Sequence, residues 1–416
     1  MNPKNKKPLT ALSATSLLVT TMMGTGINFM PFAFNAMGYW GSWIALATVA
    51  IFTFFSLIAL AYVARYYNRK DISYMSIAKD VSYFEYAMMN LGVFFNCFFA
   101  TVTFFRFLTN ILVVGVPFLN NLNADKEVSR KIVIFIVLPF LVHSSLKEGL
   151  VNLKLSGWLG VVSISFLMVL IIFYSLVIGN KAYDSPMVPF NDNYKLGLPF
   201  FVSCMICQPN MIEVYLELED KRWSNIVKIS FLSSLGGFLS YGLIGFCGYY
   251  IFGSKIQTDI MQILANMDSD LNVYIRNNTI DKYNILSRLC FYSMVSLLVC
   301  GFPMQMLPVA EMVTKFIFKE HSTKSRRNGV ILSLFVICVS LVLIKNLEIG
   351  LIKRFSGAIF STAVGLVHPF IFLINVNRKI SPFTVACTFM GFVAFLSIVY
   401  TIYKLGEDIV KEFREY

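Results

Sequence analysis

The sequence interrupts two apolar runs with residues that stop a helix and free its backbone groups. In the first run, Thr20–Phe34, Gly24 and Gly26 flank Thr25, and a proline follows. Glycine gives the backbone conformational freedom, and proline removes one helical N–H donor. A helix that stops and restarts here leaves N–H groups unpaired at the positive end of its second half, where they can receive a carboxylate. The candidate binding residues of this stretch are Met23, Gly24, Thr25, Gly26 and Ile27.

The other half of such a break offers the opposite chemistry. Carbonyl groups left unpaired where the first half-helix stops can receive an ammonium group. A site that offers both kinds of group suits a small zwitterion, and an α-amino acid is the obvious one. The alternative is a bent, continuous helix in which Gly24 and Gly26 allow close packing against neighbouring helices.

The second interruption is Cys207–Asn210, midway along a later apolar run. Pro209 disfavours a helical conformation at the residue before it and removes one backbone hydrogen bond. Gln208 and Asn210 carry amides that hydrocarbon would not tolerate unpaired. We therefore expect these amides and the Cys207 backbone to contribute to the same site. Two unrelated proline kinks are the alternative.

A third apolar run carries polar residues along one helical face. At 100° per residue, Asn96, Thr103 and Arg106 fall within one arc. A polar stripe on a membrane helix normally faces protein or water, so Thr103 and Arg106 are candidates for lining a solute path. Arg106 would meet an acidic side chain of the solute or a carboxylate of an outer gate. The alternative is an arginine packed against helix-end carbonyls or extended towards the membrane surface.

Two further ionisable residues are candidates for ion coupling or gating. His368 lies deep in an apolar run, and imidazole titrates in the range that proton coupling requires. A buried neutral histidine that donates one hydrogen bond is the alternative. Glu213 follows the second interruption, where it would carry a proton or pair across a gate. Its alternative role is to stabilise the start of the second half-helix.

The composition indicates what kind of structural elements position these residues, namely membrane-spanning helices. The chain has 416 residues, of which 57% are hydrophobic and 14% charged, and its mean hydropathy is +0.68. A soluble domain is nearer to about 25% charged residues, so we predict an all-α polytopic protein embedded in a lipid bilayer. The net charge of +12 is spread over many short loops, which suits anionic lipid and argues against nucleic-acid binding.

Apolar runs long enough to cross a bilayer recur along the whole chain. We predict about eleven transmembrane helices, at 12–36, 42–64, 85–117, 132–146, 154–178, 197–217, 226–252, 284–313, 329–345, 352–375 and 382–403. The interruptions fall in the first and sixth spans, which is the pattern of two inverted five-helix repeats whose broken helices cross at the midplane. The predicted segments are a tail (1–11), a first repeat (12–178), a second repeat (197–375), an added helix (382–403) and a C-terminal tail (404–416).

Basic residues predict the orientation in the membrane. Lys and Arg are more frequent in the loops on the side of the N-terminus, and the densest cluster, Lys315–Arg327, falls on that side. The positive-inside rule therefore places the N-terminus in the cytoplasm. The membrane is expected to be the plasma membrane or a vacuolar or lysosomal one.

The sequence offers little for enzymatic or metal chemistry. All eight cysteines fall in apolar runs, which predicts buried thiols rather than a disulfide framework. Cys204 and Cys207 have metal-like spacing but no second pair, so we expect neither a metal nor a cofactor. Because no nucleophile–base pair is apparent, we do not expect an enzyme.

Several segments together resemble the amino acid/auxin permease family, which includes vacuolar amino acid transporters and sodium-coupled neutral amino acid carriers. They are MMGTGINFMPFAFNAMG (22–38), PFFVSCMICQPNMIEVYLELED (199–220), GYYIFGSKIQTDIMQIL (248–264) and GFPMQMLPVAEMV (301–313). Each motif is degenerate alone, but together and in this order they are fairly specific. The resemblance implies an eleven-helix transporter with a five-plus-five, LeuT-like inverted-repeat core that moves amino acids by alternating access.

Departures from the family pattern bear on the coupling ion. Sodium-coupled members usually carry asparagine where this chain has Thr20, and threonine where it has Cys300 and Gly301. A threonine hydroxyl or a carbonyl can still ligate sodium, but a favourable oxygen is lost. Thr20 is therefore a coupling candidate, and we expect proton-coupled or facilitated transport over sodium coupling.

We therefore expect a secondary transporter whose partners are a small amino acid and the lipid bilayer. A receptor that senses an amino acid through the same site is the alternative function, although short loops leave little room for signalling. A channel is disfavoured, because no selectivity-filter repeat or ring of like charges accompanies the broken helices.

Overall fold

A computed structural model of the chain describes residues 8–69, 72–116, 126–147, 149–179, 186–256, 263, 273, 285–318, 323–344, 349–377 and 382–415. In chain order the helices are α1 (Ala11–Met22), α2 (Gly26–Met37), α3 (Tyr39–Tyr67), α4 (Tyr74–Val81), α5 (Tyr83–Gly115), α6 (Lys126–Ser145), α7 (Lys154–Ile178), α8 (Tyr194–Cys204), α9 (Gln208–Glu217), α10 (Trp223–Phe252), α11 (Ile285–Phe318), α12 (Lys324–Val342), α13 (Ile349–Ser356), α14 (His368–Val376) and α15 (Pro382–Glu415). The prediction of an all-α protein is confirmed: the described residues form no strand, only a single bridge between Leu9 and Leu218.

Eight helices of the described chain are long and apolar enough to cross a membrane: Tyr39–Tyr67, Tyr83–Gly115, Glu127–Ser145, Leu150–Val177, Trp223–Phe252, Ile285–Phe318, Lys324–Val342 and Ile352–Val376. Together, α1 and α2 qualify as a ninth span, bent by 62°. α15 adds the shorter apolar stretch Phe383–Leu396. The chain is therefore a multi-pass membrane protein, as predicted. The count of eleven, the inverted repeat, the segment boundaries and the orientation stay predictions.

Both predicted helix breaks are present, and the second lies earlier than expected. The first separates α1 from α2, and the second separates α8 from α9 at Met205–Cys207. The sequence predicts the interruption at Cys207–Asn210, but α9 already begins at Gln208, with Pro209 in its first turn. Proline is favourable there, because first-turn N–H groups have no intrahelical acceptor and the proline φ suits a helix.

The helices pack so that the two breaks lie inside the bundle. α1 lies against α7 and α10, α2 lies against α8 and α10, and α11 packs on α5 and α7. Large apolar side chains such as Phe135, Leu176 and Val336 are exposed on the outer faces of α6, α7 and α12. This exposure is expected where lipid covers the surface.

The link between α13 and α14 is wound as π-helix. It consists of the segments Gly357–Ser361 and Ala363–Val367. Tyr74 of α4 donates its hydroxyl hydrogen bond to the carbonyl of Val364 at 2.8 Å. This bond holds the loosely wound link against α4. π-helical turns occur mostly as single insertions at functional sites.

Candidate functional site

Two glycines shape the break between α1 and α2. Met23 is extended (φ −77°, ψ 120°), and α2 begins at Gly26. A Cβ atom at Gly24 would lie 1.9 Å from Cζ of Phe104, and one at Gly26 would lie 2.4 Å from Sγ of Cys204. Real Cβ atoms essentially never approach within 3.0 Å. Glycine is therefore required at both positions for the neighbouring side chains to stay where they are.

Side chains from two other helices bind carbonyl groups that the first break frees. The Tyr241 hydroxyl of α10 donates to the Met22 carbonyl at 2.5 Å. Nε2 of Gln305 on α11 donates to the Thr21 carbonyl at 2.8 Å. Because a helix leaves its last carbonyls unpaired, these two side chains cap the end of α1 from outside.

Amide side chains join the second break to its neighbours. Oε1 of Gln208 accepts from the Cys207 N–H at 2.9 Å, and Nε2 donates to Oγ of Ser56 on α3 at 2.8 Å. Nδ2 of Asn210 lies 3.1 Å from Oγ1 of Thr21 and 3.3 Å from a carbonyl oxygen of α11. Asn210 therefore connects the start of α9 to both α1 and α11.

A narrow cavity lies between the two breaks. Its volume is about 10 Å³, which is room for about one water molecule. Its lining residues are Thr21, Met22, Thr25, Gly26, Asn96, Ala100, Phe104, Ser203, Ile206, Gln305 and Lys353. Most of these residues belong to the two broken spans or to α5. A larger opening of about 530 Å³, lined by Tyr62, Arg65 and Trp223 among others, shares no residue with the breaks.

Backbone hydrogen bonds join the two broken spans at both of their ends. At one end, the Leu9 N–H donates to the Glu217 carbonyl at 2.8 Å, and the Glu219 N–H donates to the Leu9 carbonyl at 2.9 Å. These bonds join the residues before α1 to the end of α9. At the other end, the Asn191 N–H donates to the Met37 carbonyl at 3.0 Å, which joins the end of α2 to the segment before α8. The residues that line the cavity are all buried, so the described residues enclose it in an occluded state.

Unpaired polar atoms mark the first turn of α2. Oγ1 of Thr25 and both amide atoms of Asn28 are buried and have no hydrogen-bond partner among the described residues. Thr25 lines the cavity, and Asn28 is fully buried. Proteins pair nearly all such atoms, so each exception calls for a ligand, a water or a functional reason.

The structure brings some of the predicted binding residues to the cavity and places others elsewhere. Thr25 and Gly26 line it. The Thr103 hydroxyl donates to a carbonyl of its own helix at 2.7 Å. Arg106 donates to the carbonyl of Val342 at the end of α12, which is the geometry of the alternative interpretation. The remaining predicted binding residues are not among those that line the cavity: Met23, Gly24, Ile27, Cys207, Gln208 and Asn210.

Two of the predicted coupling residues face other helices. The Thr20 hydroxyl donates to the Gly157 carbonyl of α7 at 2.8 Å. Glu213 of α9 lies within electrostatic range of Glu311 and Lys315 on α11. Oε2 of Glu213 has no hydrogen-bond partner within the described ranges. The coupling and gating roles of Thr20 and Glu213 stay predictions.

The third coupling candidate, His368, forms a buried pair that the sequence did not indicate. Its Nδ1 is hydrogen-bonded to Oε1 of Glu85, in the first turn of α5. Both side chains are buried, and Phe372 stacks on the imidazole with ring centroids 6.3 Å apart. The Ser82 hydroxyl accepts the Glu85 N–H at 3.0 Å. From sequence, Glu85 therefore resembles any acid in a capped first turn.

The lining residues that were not predicted include Phe104, Gln305 and Lys353. Phe104 carries no signal in a chain with 40 phenylalanines. Gln305 lies between two prolines in an apolar run, which is the same signal that identified Gln208. Lys353 stands beside Arg354 at the start of a predicted span, where basic residues usually mark the membrane surface.

Sequence comparison identifies the family of the chain. The profile described as transmembrane amino acid transporter protein matches residues 7–405. The chain belongs to this family. Its members are transporters rather than enzymes. The match therefore confirms both the predicted family resemblance and the expectation that this protein is not an enzyme.

The relatives of this transporter-family chain have two kinds of names. Vacuolar amino acid transporter 5 of Saccharomyces cerevisiae is 24% identical over 279 residues, which are 62% of this chain and 60% of that relative. The protein of the same name in Schizosaccharomyces pombe is 22% identical over 361 residues, 85% of this chain and 81% of that relative. Human sodium-coupled neutral amino acid transporter 4 is 23% identical over 190 residues, 46% of this chain and 32% of that relative. The match to the first relative thus spans less than two thirds of its length.

Solved structures support the fold of this family member. A mutant manganese transporter of Eremococcus coleocola superposes with a TM-score of 0.64 at 13% identity, covering 94% of this chain and 85% of that chain. At such low identity the likeness concerns the fold alone. It confirms the predicted class of an all-α, multi-pass membrane fold.

Proposed function

We propose that this chain is a secondary transporter that moves an amino acid by alternating access and couples its movement to protons rather than to sodium. The observation that carries the proposal is the occluded cavity between two broken helices, with hydrogen bonds joining those helices at both ends. Alternating access requires a state in which a central site is open to neither side. Broken helices around a midplane site are the usual construction of such transporters.

The groups around the cavity suit the charges of an amino acid. The α-carboxylate would bind at the start of α2, where the helix dipole is positive and the Thr25 hydroxyl is unpaired. The ammonium would bind at the end of α1, beside the Thr21 carbonyl that Gln305 now caps. Because the cavity holds only about one water, binding requires it to widen.

The Glu85–His368 pair supports proton coupling. Imidazole changes its charge between about pH 5 and 8, and a bonded carboxylate can share the same proton. The pair joins α5, which lines the cavity through Asn96, to α14. Tyr74 of α4 also lies within electrostatic range of Glu85. A proton taken up here changes the charge at the contact between α5 and α14.

The contacts of Thr20 weaken the case for sodium. Its hydroxyl donates to the Gly157 carbonyl, so this side chain joins α1 to α7. No carboxylate is found among the described residues that line the cavity. Sodium prefers several oxygen ligands, and acidic side chains are common among those of hard cations.

The names of the fungal relatives place those proteins at the vacuole. We extend this to the present chain and propose a vacuolar or lysosomal membrane, with the N-terminus in the cytoplasm. An acidified lumen would supply the proton gradient. Microscopy of a fluorescent fusion beside a vacuolar or lysosomal marker tests this; labelling confined to the cell surface would contradict it.

Uptake into proteoliposomes tests the transport function. Labelled amino acids are offered under a pH gradient without sodium, and under a sodium gradient at equal pH. We expect accumulation only with the pH gradient, and its loss when a protonophore is added. Sodium-driven uptake that ignores pH would contradict proton coupling. Saturable binding without uptake of any amino acid would favour a receptor.

Variants of the buried pair test the coupling site. Glu85→Gln and His368→Gln should abolish gradient-driven accumulation while exchange of labelled for unlabelled substrate continues. His143→Gln, in the last turn of α6, is the matched control and should accumulate substrate as the unaltered protein does. Full gradient-driven accumulation by both pair variants would refute the role of Glu85 and His368.

A further inference from the structure

Lys353 is the one ionisable side chain among the described residues that line the cavity. It lies on α13, and only 8% of its surface is exposed. Its titratable neighbours are the thiols of Cys97 and Cys204. In the described part of the chain, no carboxylate lies close enough to balance its charge.

A buried cation without a counter-charge is costly. Lysine is almost never fully buried unless it is paired, and an isolated charge in a protein interior loses several kcal/mol of hydration. The lining supplies amides and hydroxyls, from Asn96, Ser203 and Gln305. These groups can accept a hydrogen bond but carry no negative charge. Among the described residues no group supplies the opposite charge, and a ligand can bring it.

We propose that Lys353 binds a side-chain carboxylate of the substrate, so that the transported amino acids are the acidic ones. This inference rests on the proposed transport function, whose cavity it shares. Lys353 acts here as a specificity-determining residue. It pairs with the second carboxylate of an acidic substrate, whereas a neutral substrate leaves its buried charge unpaired.

The cavity has two places for an anion, the start of α2 and Lys353. Their positions explain why Lys353 binds the side-chain carboxylate and not the α-carboxylate. The α-carboxylate already has a place at the start of α2, near Thr25 and Gly26. A Cβ atom at Gly26 would contact Cys204, and Cys204 is itself a neighbour of Lys353. The two positions therefore lie on adjacent walls of one cavity, as two carboxylates of one small molecule require.

Arg106, the cation that the sequence predicts in the solute path, does not bind this carboxylate. Arg106 donates to the Val342 carbonyl at the end of α12 and is not among the lining residues. Of the buried Lys and Arg side chains in the described residues, which are Arg106, Arg327 and Lys353, only Lys353 lines this cavity.

Glutamate and glutamine provide a matched pair of substrates, because they share their shape and differ in charge. In proteoliposomes, we expect unlabelled glutamate to inhibit uptake about tenfold to hundredfold better than glutamine, the factor expected for a charge-assisted hydrogen bond. Lys353→Met, which keeps the length of the side chain, should remove this preference. Lys353→Arg should retain part of it, and Arg354→Gln, which removes the adjacent charge, should leave it unchanged.

A binding measurement keeps the test independent of transport and of the variants. Thermal unfolding of the unaltered protein in detergent should shift upwards with glutamate and not with glutamine. That shift without any uptake would support the Lys353 site and overturn the transport function. Uptake of neutral amino acids with no glutamate preference would overturn the inference and leave transport standing. Equal losses for glutamate and glutamine in Lys353→Met would assign Lys353 to the α-carboxylate, and would also overturn the inference.

Discussion

The contact between Gly24 and Phe104 gives the sharpest test of the broken helix. The Gly24→Ala substitution would place a Cβ atom 1.9 Å from Cζ of Phe104, whereas ordinary contact begins at 3.4 Å. The ring would have to move by about 1.5 Å, the difference between these two distances. It cannot move freely towards α11, because a Cβ atom at Gly301 would already lie 2.6 Å from Cε1 of the same ring. The remaining space is the cavity itself.

Overpacking of this kind costs about 1–3 kcal/mol of the free energy of unfolding. We expect Gly24→Ala to lower the thermal unfolding midpoint in detergent and to lower uptake at least tenfold, because the displaced ring fills the cavity. Gly24 does not have a positive φ, so the effect comes from crowding and not from backbone strain. A smaller side chain, in the double variant Gly24→Ala with Phe104→Leu, should restore much of the stability.

The matched control is Gly329→Ala, because a Cβ atom at Gly329 would meet nothing within 4 Å. Alanine there is expected to be neutral or slightly stabilising, since it is the better helix former. If Gly24→Ala and Gly329→Ala give the same midpoint and the same uptake, the crowding argument is wrong. Additivity in the double variant would also contradict the proposed contact with Phe104.

Two further predictions concern the partners of the breaks. Tyr241→Phe leaves the buried Met22 carbonyl unpaired, so we expect a loss of about 1–3 kcal/mol in unfolding free energy; equal midpoints for Tyr241→Phe and the exposed control Tyr292→Phe would contradict this. Asn210→Leu removes the donor to Thr21, and uptake should fall at least about tenfold. Because Asn210 and Thr21 share one hydrogen bond, adding Thr21→Val should cost little more in unfolding free energy; additive losses would show that the bond is unimportant.

The breaks were predictable because their causes are local. Gly24, Gly26 and Pro209 act on the backbone within a residue or two, so the sequence indicates them directly. The second break still lay closer to the N-terminus than expected, because proline can open a helix as readily as it ends one. Sequence spacing does not distinguish these two uses of Pro209.

The partners of the site were not predictable, because they are distant in the chain. Glu85 and His368 are 283 residues apart, and Tyr241 is 219 residues from Met22. Each residue alone fits an ordinary role: an acid in a first helical turn, or a tyrosine in an apolar run. Only the tertiary fold, which brings the starts of α5 and α14 together and packs α10 on α1, brings them to their partners.

Arg106 and Lys353 show that the sequence does not reveal which charged side chains reach the cavity. Arg106 lies among phenylalanines in the middle of a run, and its polar stripe indicated a solute path. Its described hydrogen bond instead reaches a helix-end carbonyl. Lys353 stands at the edge of its run, yet the structure places it in the lining of the cavity. The position of a residue along its span therefore did not indicate which of these two cations lines the cavity.

The π-helical link between α13 and α14 has a mechanical consequence. A π turn holds one more residue than an α turn, so its conversion to α-helix would shift everything beyond it by about one residue. In an α-helix one residue corresponds to about 100° of rotation and 1.5 Å of rise. Lys353 lies before the link and His368 after it. Such a conversion would turn His368 away from Glu85 while Lys353 stayed in the cavity. The register of this link therefore determines whether His368 is in position to bond Glu85.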